Sequence, residues 1–213
     1  TTTFVQSVAW SPDSTRYLTG SGDGVRQWDA ATGELLHHTT TTFVRSVAWS
    51  PDSTRYLTSG DDGVRQWDAA TGELLHHTDT DTVWSVAWSP DGTRYLTSGD
   101  GGVRQWDAAT GELLHHTATT FVRSVAWSPD GTRYLTSGDG CVQIRDVITG
   151  SVCGVTIVLC PGGEVVVYDS SANMVVGVTE QGWRWLGWSA LQDGHIERLP
   201  AETFGELPLL PSS

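Results

Sequence analysis

Apolar and polar residues alternate along short stretches of this chain, and small polar residues separate the stretches. Four alternating stretches within residues 40–78 are FVRSVAW (43–49), RYLT (55–58), VRQWD (64–68) and ELLHH (73–77). Ser-Pro-Asp-Ser, Ser-Gly-Asp-Asp-Gly and Ala-Ala-Thr-Gly lie between them, and these sequences are typical of tight turns. The pattern predicts four short antiparallel strands that follow one another as an all-β meander.

This 40–78 unit occurs four times with almost the same letters. Trp10, Trp49, Trp88 and Trp127 follow one another at intervals of 39 residues, and residues 40–78 differ from residues 79–117 at 6 of 39 positions. A fixed period of this length indicates a solenoid, a propeller or an array of stacked units. Each unit is expected to bury its apolar face against its neighbours.

The turns and the Trp67-Asp68 dipeptide resemble the WD-repeat (WD40) family. The Ser-Pro-Asp-Gly turn, the Ser-Gly-Asp-Asp-Gly turn and the Trp-Asp pair all occupy the positions that this family gives them. The resemblance covers residues 1–150 and implies a β-propeller whose blades are four-stranded sheets. We therefore expect four near-identical blades in residues 1–150, and a diverged β segment in residues 151–213 that forms a fifth blade or a cap with a flexible end.

Two features depart from the family pattern. The repeat is slightly shorter than the ~40–45 residues that are usual. Thr39-Thr40 also replaces the Gly-His dipeptide, so the buried histidine network of the family is absent. Tryptophan packing and threonine hydroxyls are expected to hold the sheets instead.

The diverged segment carries four further strand-like stretches, which are 155–159, 165–168, 174–179 and 182–189. It resembles the closing segment that follows WD repeats in large bacterial signalling NTPases. Ring closure stays open between three solutions: a small ring that uses this segment, a homodimer that completes a larger ring, and further blades in a longer protein. The chain begins inside a repeat without an initiator methionine, as a piece of a longer protein would.

Charge and cysteine content narrow the classes of partner. The chain has 25 acidic residues and 12 arginines, no lysine, and a net charge of -13, so a nucleic acid partner is not expected. No apolar run is long enough to span a bilayer, so no membrane partner is expected. Cys141, Cys153 and Cys160 are interpreted as free thiols in a reducing compartment, which favours a cytoplasmic location.

The sequence carries few signals for metal binding or catalysis. Three adjacent histidine pairs (37/38, 76/77 and 115/116) alternate across a strand and cannot readily chelate one ion, so no metal is expected. Asp-Gly pairs are interpreted as turns rather than calcium sites. No nucleophile elbow, zinc-protease motif or phosphate-binding loop is present. We expect no enzymatic activity and no cofactor.

Comparison of the four copies separates a scaffold from a variable end. Variable positions gather at the entry to the first strand and at the turn between strands two and three, which share one end of a meander. They predict a partner-binding face composed of Phe4, Gln6, Phe43, Arg45, Asp62, Trp84, Phe121 and Arg123. Aromatic residues and arginine commonly anchor protein interfaces. The predicted function is a protein-binding scaffold that forms the recognition part of a larger bacterial regulatory or signalling protein; the alternatives are a glycan-binding propeller and, third, a hydrolase.

Overall fold

The computed structural model describes residues 4–41, 43–119, 121–172, 174–179, 187–192 and 195–200. The predicted strand at 182–189 lies partly outside these residues. Trp183 and Trp185 lie entirely outside them. Contacts divide the chain into one unit of residues 1–138 and 146–151 and a second unit of residues 139–145 and 152–213. The predicted domain division at residue 150 follows the sequence repeat and stays a prediction.

The first unit consists of successive antiparallel meanders. The first sheet contains β1 (Val5–Trp10), β2 (Arg16–Ser21), β3 (Gly24–Asp29) and β4 (Leu35–Thr39). The second sheet contains β5 (Val44–Trp49), β6 (Arg55–Gly60), β7 (Gly63–Asp68) and β8 (Leu74–Thr78). The third contains β9 (Val83–Trp88), β10 (Arg94–Gly99), β11 (Gly102–Asp107) and β12 (Leu113–Thr117). The pair β13 (Ser124–Trp127) and β14 (Arg133–Gly138) follows. The four-strand meander predicted for each unit is thus confirmed in three full sheets, although the second strand runs two residues further than predicted.

The second unit is also antiparallel. It contains β15 (Cys141–Asp146), β16 (Val152–Leu159), β17 (Val165–Asp169), β18 (Met174–Val178), β19 (Gly187–Gln192) and β20 (His195–Pro200). Strands β15 to β18 pair in sequence order, and β19 pairs with β20. Strand β20 was not predicted from the sequence. A 3-10 turn at 161–163, in the sequence Pro-Gly-Gly, separates β16 from β17.

The Ser-Pro-Asp turn between the first two strands requires a left-handed backbone. Ser14 and Ser53 have φ angles of 62° and 59°. The third and fourth copies have Gly92 and Gly131 at this position, both with a φ of 69°. Glycine adopts this region without steric cost, whereas serine is strained there. The first two copies therefore carry a small backbone strain that the other two lack.

An aspartate in each turn accepts several hydrogen bonds. Asp68 Oδ1 accepts the backbone N–H groups of Ala70 (2.9 Å) and Thr71 (2.8 Å). These bonds, the Thr71 bond foremost, lower the pKa of Asp68. In the first turn, the hydroxyl of Ser11 donates to Asp13 Oδ1 at 2.6 Å and is the main cause that lowers the pKa of Asp13 to about 2. The ionised carboxylates thus close the turns.

Threonine and tyrosine replace the missing histidine network. The indole N–H of Trp67 donates to the hydroxyl of Thr58 at 2.9 Å. Thr39 bonds the hydroxyl of Tyr56, and burial raises the pKa of Tyr56 to about 12. The third copy repeats the tryptophan bond, from Trp106 to its own threonine at 2.9 Å. The expected role of threonine hydroxyls is confirmed.

The core lies between neighbouring sheets rather than inside one sheet. At the first junction, Leu18 and Val25 of the first sheet pack against Val44, Val47 and Trp49 of the second. All five side chains are buried. Equivalent residues form the second and third junctions. The second and third sheets therefore each offer one face to the sheet before and the other face to the sheet after.

An arginine and a tryptophan clamp each junction. The guanidinium of Arg16 lies 5.0 Å from the centre of the Trp49 ring and donates to the carbonyl oxygen of Ala69 at 3.0 Å. Gln27 donates to the same oxygen at 3.0 Å, and the Trp49 indole N–H donates to the carbonyl oxygen of Ala9 at 3.2 Å. Comparable contacts form the next two junctions, through Arg55, Gln66, Trp88, Ala108 and Ala48, and through Arg94, Trp127 and Ala87. We call each such set an inter-sheet clamp.

The left-handed turn gives a prediction for stability. In Gly92→Ala the new methyl meets Pro51 Cδ at an ordinary 3.6 Å, so the cost is backbone strain alone. We expect a loss of about 1 kcal/mol in the free energy of unfolding, measured by denaturant titration. Ser14→Gly is the reciprocal control, and we expect it to gain about 0.5 kcal/mol because relief of strain exceeds the entropy cost of glycine. Equal stability of Gly92→Ala and the parent would contradict this account.

The turn aspartates give a prediction for pH dependence. The pKa of Asp13 and that of Asp130 are both lowered to about 2, mainly by hydroxyl donation from Ser11 and Ser128. Their unfolded values are about 3.9. A carboxyl group with a depressed folded pKa contributes stability above the unfolded pKa and loses it as the pH falls through the folded pKa. The urea midpoint should therefore fall between about pH 4 and about pH 2. Asp13→Asn should lessen this fall, and a midpoint constant over that range would refute the prediction.

Candidate functional site

The first strands of the four copies bring the variable positions together. Strands β1, β5, β9 and β13 are consecutive neighbours in the first unit. In the β5–β6 ladder, Val44 pairs with Gly60 and Ser46 pairs with Ser59, so Arg45 between them has no partner. The same irregularity leaves Gln6 unpaired in β1 and Trp84 unpaired in β9. A β-bulge frees a residue from the ladder and redirects its side chain, and bulges are common next to functional sites.

The bulged residues surround one depression, which we call the first-strand cavity. Its volume is about 230 Å³, and its lining consists of Gln6, Phe43, Arg45, Trp84 and Arg123. Gln6, Arg45 and Trp84 are the bulged residues of the first three copies. Arg123, directly before β13, is the equivalent residue of the fourth copy, so all four equivalent positions meet at this cavity. Five of the eight predicted face residues line this cavity.

Arg45 is held in place by a carboxylate and an aromatic ring. Its Nε and one terminal nitrogen donate to Asp61 Oδ1 at 2.9 and 2.7 Å. The guanidinium carbon lies 5.3 Å from the centre of the Phe43 ring. A methyl group at Gly22 would lie 3.5 Å from the Phe43 ring, so this ring lies beside the second turn of the preceding sheet. Arg45 is therefore oriented while it remains exposed.

Trp84 forms the centre of a second stack. The guanidinium carbon of Arg123 lies 5.1 Å from the centre of the Trp84 ring. The ring of Phe121 stacks on Trp84 with centroids 6.3 Å apart and planes at 17°. Phe121 has a φ of 48°, which is uncommon for a bulky residue and often marks functional strain. Among the described residues, no carboxylate forms an ion pair with Arg123.

Three predicted face residues do not line the cavity: Phe121, which stacks on Trp84, and also Asp62 and Phe4. Asp62 forms a bidentate ion pair with Arg65 of the same hairpin, with one bond of 2.8 Å. Phe4 is 75% exposed and directly precedes β1. Sequence reasoning missed Asp61 as the partner of Arg45. Asp61 lies in the turn that varies among copies, but its pairing with Arg45 depends on the register between strands and could not be predicted from local sequence.

The histidine pairs have structural contacts. Nε2 of His37 and of His76 lies 3.1 Å from a backbone carbonyl oxygen of the next sheet, in Ala70 and Ala109 respectively. His77 Nε2 lies 3.1 Å from the carbonyl oxygen of Asp62. Within the described ranges, no group of three or more His, Cys, Asp or Glu side chains is arranged to hold a metal ion.

Repeated four-stranded antiparallel meanders, with cores between successive sheets, define a protein of the β-propeller class. The family described as WD domain, G-beta repeat matches residues 1–29, 31–68, 70–107 and 109–146, which is more than half of the chain. The chain belongs to the WD40 family. Repeats of this family are generally non-catalytic modules for protein interaction. No curated protein matches the chain. The described part of the chain contains no helix that could span a membrane.

Two arginines stack on aromatic rings, but their truncation should change stability by very different amounts. Arg55 belongs to an inter-sheet clamp and bonds a carbonyl oxygen at 2.9 Å. Arg55→Ala should lower the free energy of unfolding by about 2–3 kcal/mol, because a charged hydrogen bond and a ring contact are lost together. Arg123→Ala, at the exposed cavity rim, should change it by less than about 0.5 kcal/mol.

Denaturant unfolding of the two variants measures this difference. Arg55→Lys is the matched control, since it keeps the charge but not the planar contact, and it should recover only part of the loss. Similar losses in Arg55→Ala and Arg123→Ala would assign Arg123 to the scaffold instead.

Proposed function

We propose that the first-strand cavity and its rim bind a protein partner that presents an acidic side chain beside an aromatic or apolar one. The observation that carries this proposal is the convergence of five variable residues on one cavity, while the repeated residues form the sheets and their junctions. The aromatic rings of Phe43 and Trp84 offer flat contact area, and Arg123 offers a cation without an ion pair among the described residues.

Charge and size both favour an acidic peptide segment. The chain has a net charge of -13, so the exposed Arg123, which forms no ion pair with the described residues, is a local exception that attracts a carboxylate. Arginine binds carboxylates in a planar, bidentate manner. The cavity of about 230 Å³ is smaller than the ~300–1,000 Å³ of typical small-molecule pockets. It has the size for one or two side chains of a larger partner.

A wider biological setting belongs to the same proposal. The segment after residue 150 resembles the closing segment that follows WD repeats in bacterial signalling NTPases. In such a longer chain, the WD repeats would supply the recognition module. We therefore infer that this chain serves as the recognition part of a cytoplasmic bacterial regulatory protein.

The burial of tryptophans favours a protein ligand over a glycan. A glycan-binding propeller would use exposed tryptophans in repeated, equivalent pockets. Trp49, Trp67, Trp88 and Trp106 are only 5–8% exposed, and the 64% exposure of Trp10 is not repeated at its equivalents Trp49 and Trp88. Trp84 is the cavity tryptophan, and Gln6, Arg45 and Arg123 replace it in the other copies. The cavity is thus a single asymmetric site.

Peptide display on the full chain, followed by titration of a selected peptide, tests the proposal. Selected peptides should carry Asp or Glu next to an aromatic or apolar residue. The triple variant Phe43→Ala, Arg45→Ala, Trp84→Ala should weaken binding by at least about 30-fold, which corresponds to the loss of ~2 kcal/mol from an interface hot spot. Binding should also weaken as salt rises, because the arginines are exposed.

The matched control removes three exposed apolar side chains of the outer strands, in Leu36→Ala, Leu75→Ala, Leu114→Ala. It should leave the affinity within about twofold of the parent. Selected peptides without acidic residues, or equal affinities for the parent and the cavity variant, would reject the proposal.

A further inference from the structure

The first sheet exposes a face that every later copy buries. On β1, Val5, Val8 and Trp10 are 57%, 68% and 64% exposed, whereas their equivalents on β5 are between 1% and 7% exposed. The β5 residues are covered by Leu18 and Val25 of the preceding sheet. The residues of β1 are identical to those of β5 at these three positions. We call this surface the open front face.

The fourth copy exposes the opposite face. Leu135 of β14 is 43% exposed, whereas Leu18, Leu57 and Leu96 in the same column are at most 1% exposed. Ala126 and Arg133 are also exposed. At the three junctions, residues of these columns pack on the next sheet, accept its indole N–H and clamp its tryptophan. We call Ala126, Arg133 and Leu135 the open back face.

We propose that the open front face of one molecule binds the open back face of a second copy of this chain. The two surfaces carry the two halves of a junction that the molecule already forms three times within itself. In the intermolecular junction, Leu135 packs between Val5 and Val8 of the second copy. Arg133 lies over the Trp10 ring, and the Trp10 indole N–H donates to the carbonyl oxygen of Ala126.

A second copy fits better than an unrelated partner for a physical reason. Exposed apolar patches of this kind mark interaction sites, and at the existing junctions the same patch packs on a sheet face that carries an arginine, a leucine and an alanine carbonyl oxygen at fixed spacing. The open back face supplies that set. A front-to-back contact is heterologous, so the assembly closes into a ring only when its remaining front face and back face also pair. Two copies together carry eight repeats, which is within the ~4–8 blades of known propellers.

Light scattering of the full chain over a concentration series tests this proposal. We expect a dimer, with twice the mass of one chain, that dissociates on dilution. Val8→Asp on the front face and Leu135→Asp on the back face should each lower the mass at the concentration where the parent is paired. Both positions are exposed, so circular dichroism of each variant should match that of the parent. Leu75→Asp places the same change on the outer strand β8 and should leave the mass unchanged.

Mixing distinguishes a front-to-back contact from other arrangements. Val8→Asp keeps an intact back face and Leu135→Asp keeps an intact front face, so their mixture should form mixed pairs, whereas each variant alone does not. Larger multiples of the chain that respond to both variants would support the same contact in an open assembly. A single-chain mass for the parent at every concentration would overturn the proposal. So would sensitivity to Val8→Asp alone, or an equal effect of Leu75→Asp.

Discussion

The inter-sheet clamp is the interaction on which this structure depends. One guanidinium, as in Arg16, covers the ring of Trp49 and bonds the carbonyl oxygen of Ala69, so a single side chain joins a ring and a turn of the next sheet. Valine and leucine side chains supply the apolar area beneath it. Since no sheet buries both faces by itself, a copy becomes a stable sheet only beside another copy.

The β-bulges separate this scaffold from the candidate site. A residue in regular register, such as Val47, must fit the junction and is therefore constant among the copies. Arg45 is skipped by the ladder, so its side chain is free of the junction. The same position can then carry glutamine, arginine or tryptophan without any change in the sheet. The variable cavity and the constant core thus follow from one irregularity in the first strand.

The strand-forming residues Val44, Val47 and Trp49, together with the turn sequences on either side of each stretch, were sufficient to predict the strands. Differences among the copies also pointed to Arg45, Trp84 and Arg123. The bulge and the Arg45–Asp61 pair were not predictable, since both depend on register between strands rather than on local composition. The Thr39–Tyr56 bond that replaces the family histidine required knowledge of which side chains meet across a sheet. The exposure of β1 was hidden for a simpler reason: its sequence equals that of buried strands.

The identity of the three junctions has a consequence for how such a chain can change in length. Because the three junctions use equivalent residues, insertion or deletion of a whole 39-residue segment between them would reproduce the same contacts. Such a change adds or removes one bulged position at the cavity rim and leaves the core intact. Copying or removing whole segments can thus change the number and order of the side chains at the cavity rim. The same core packing serves every such combination.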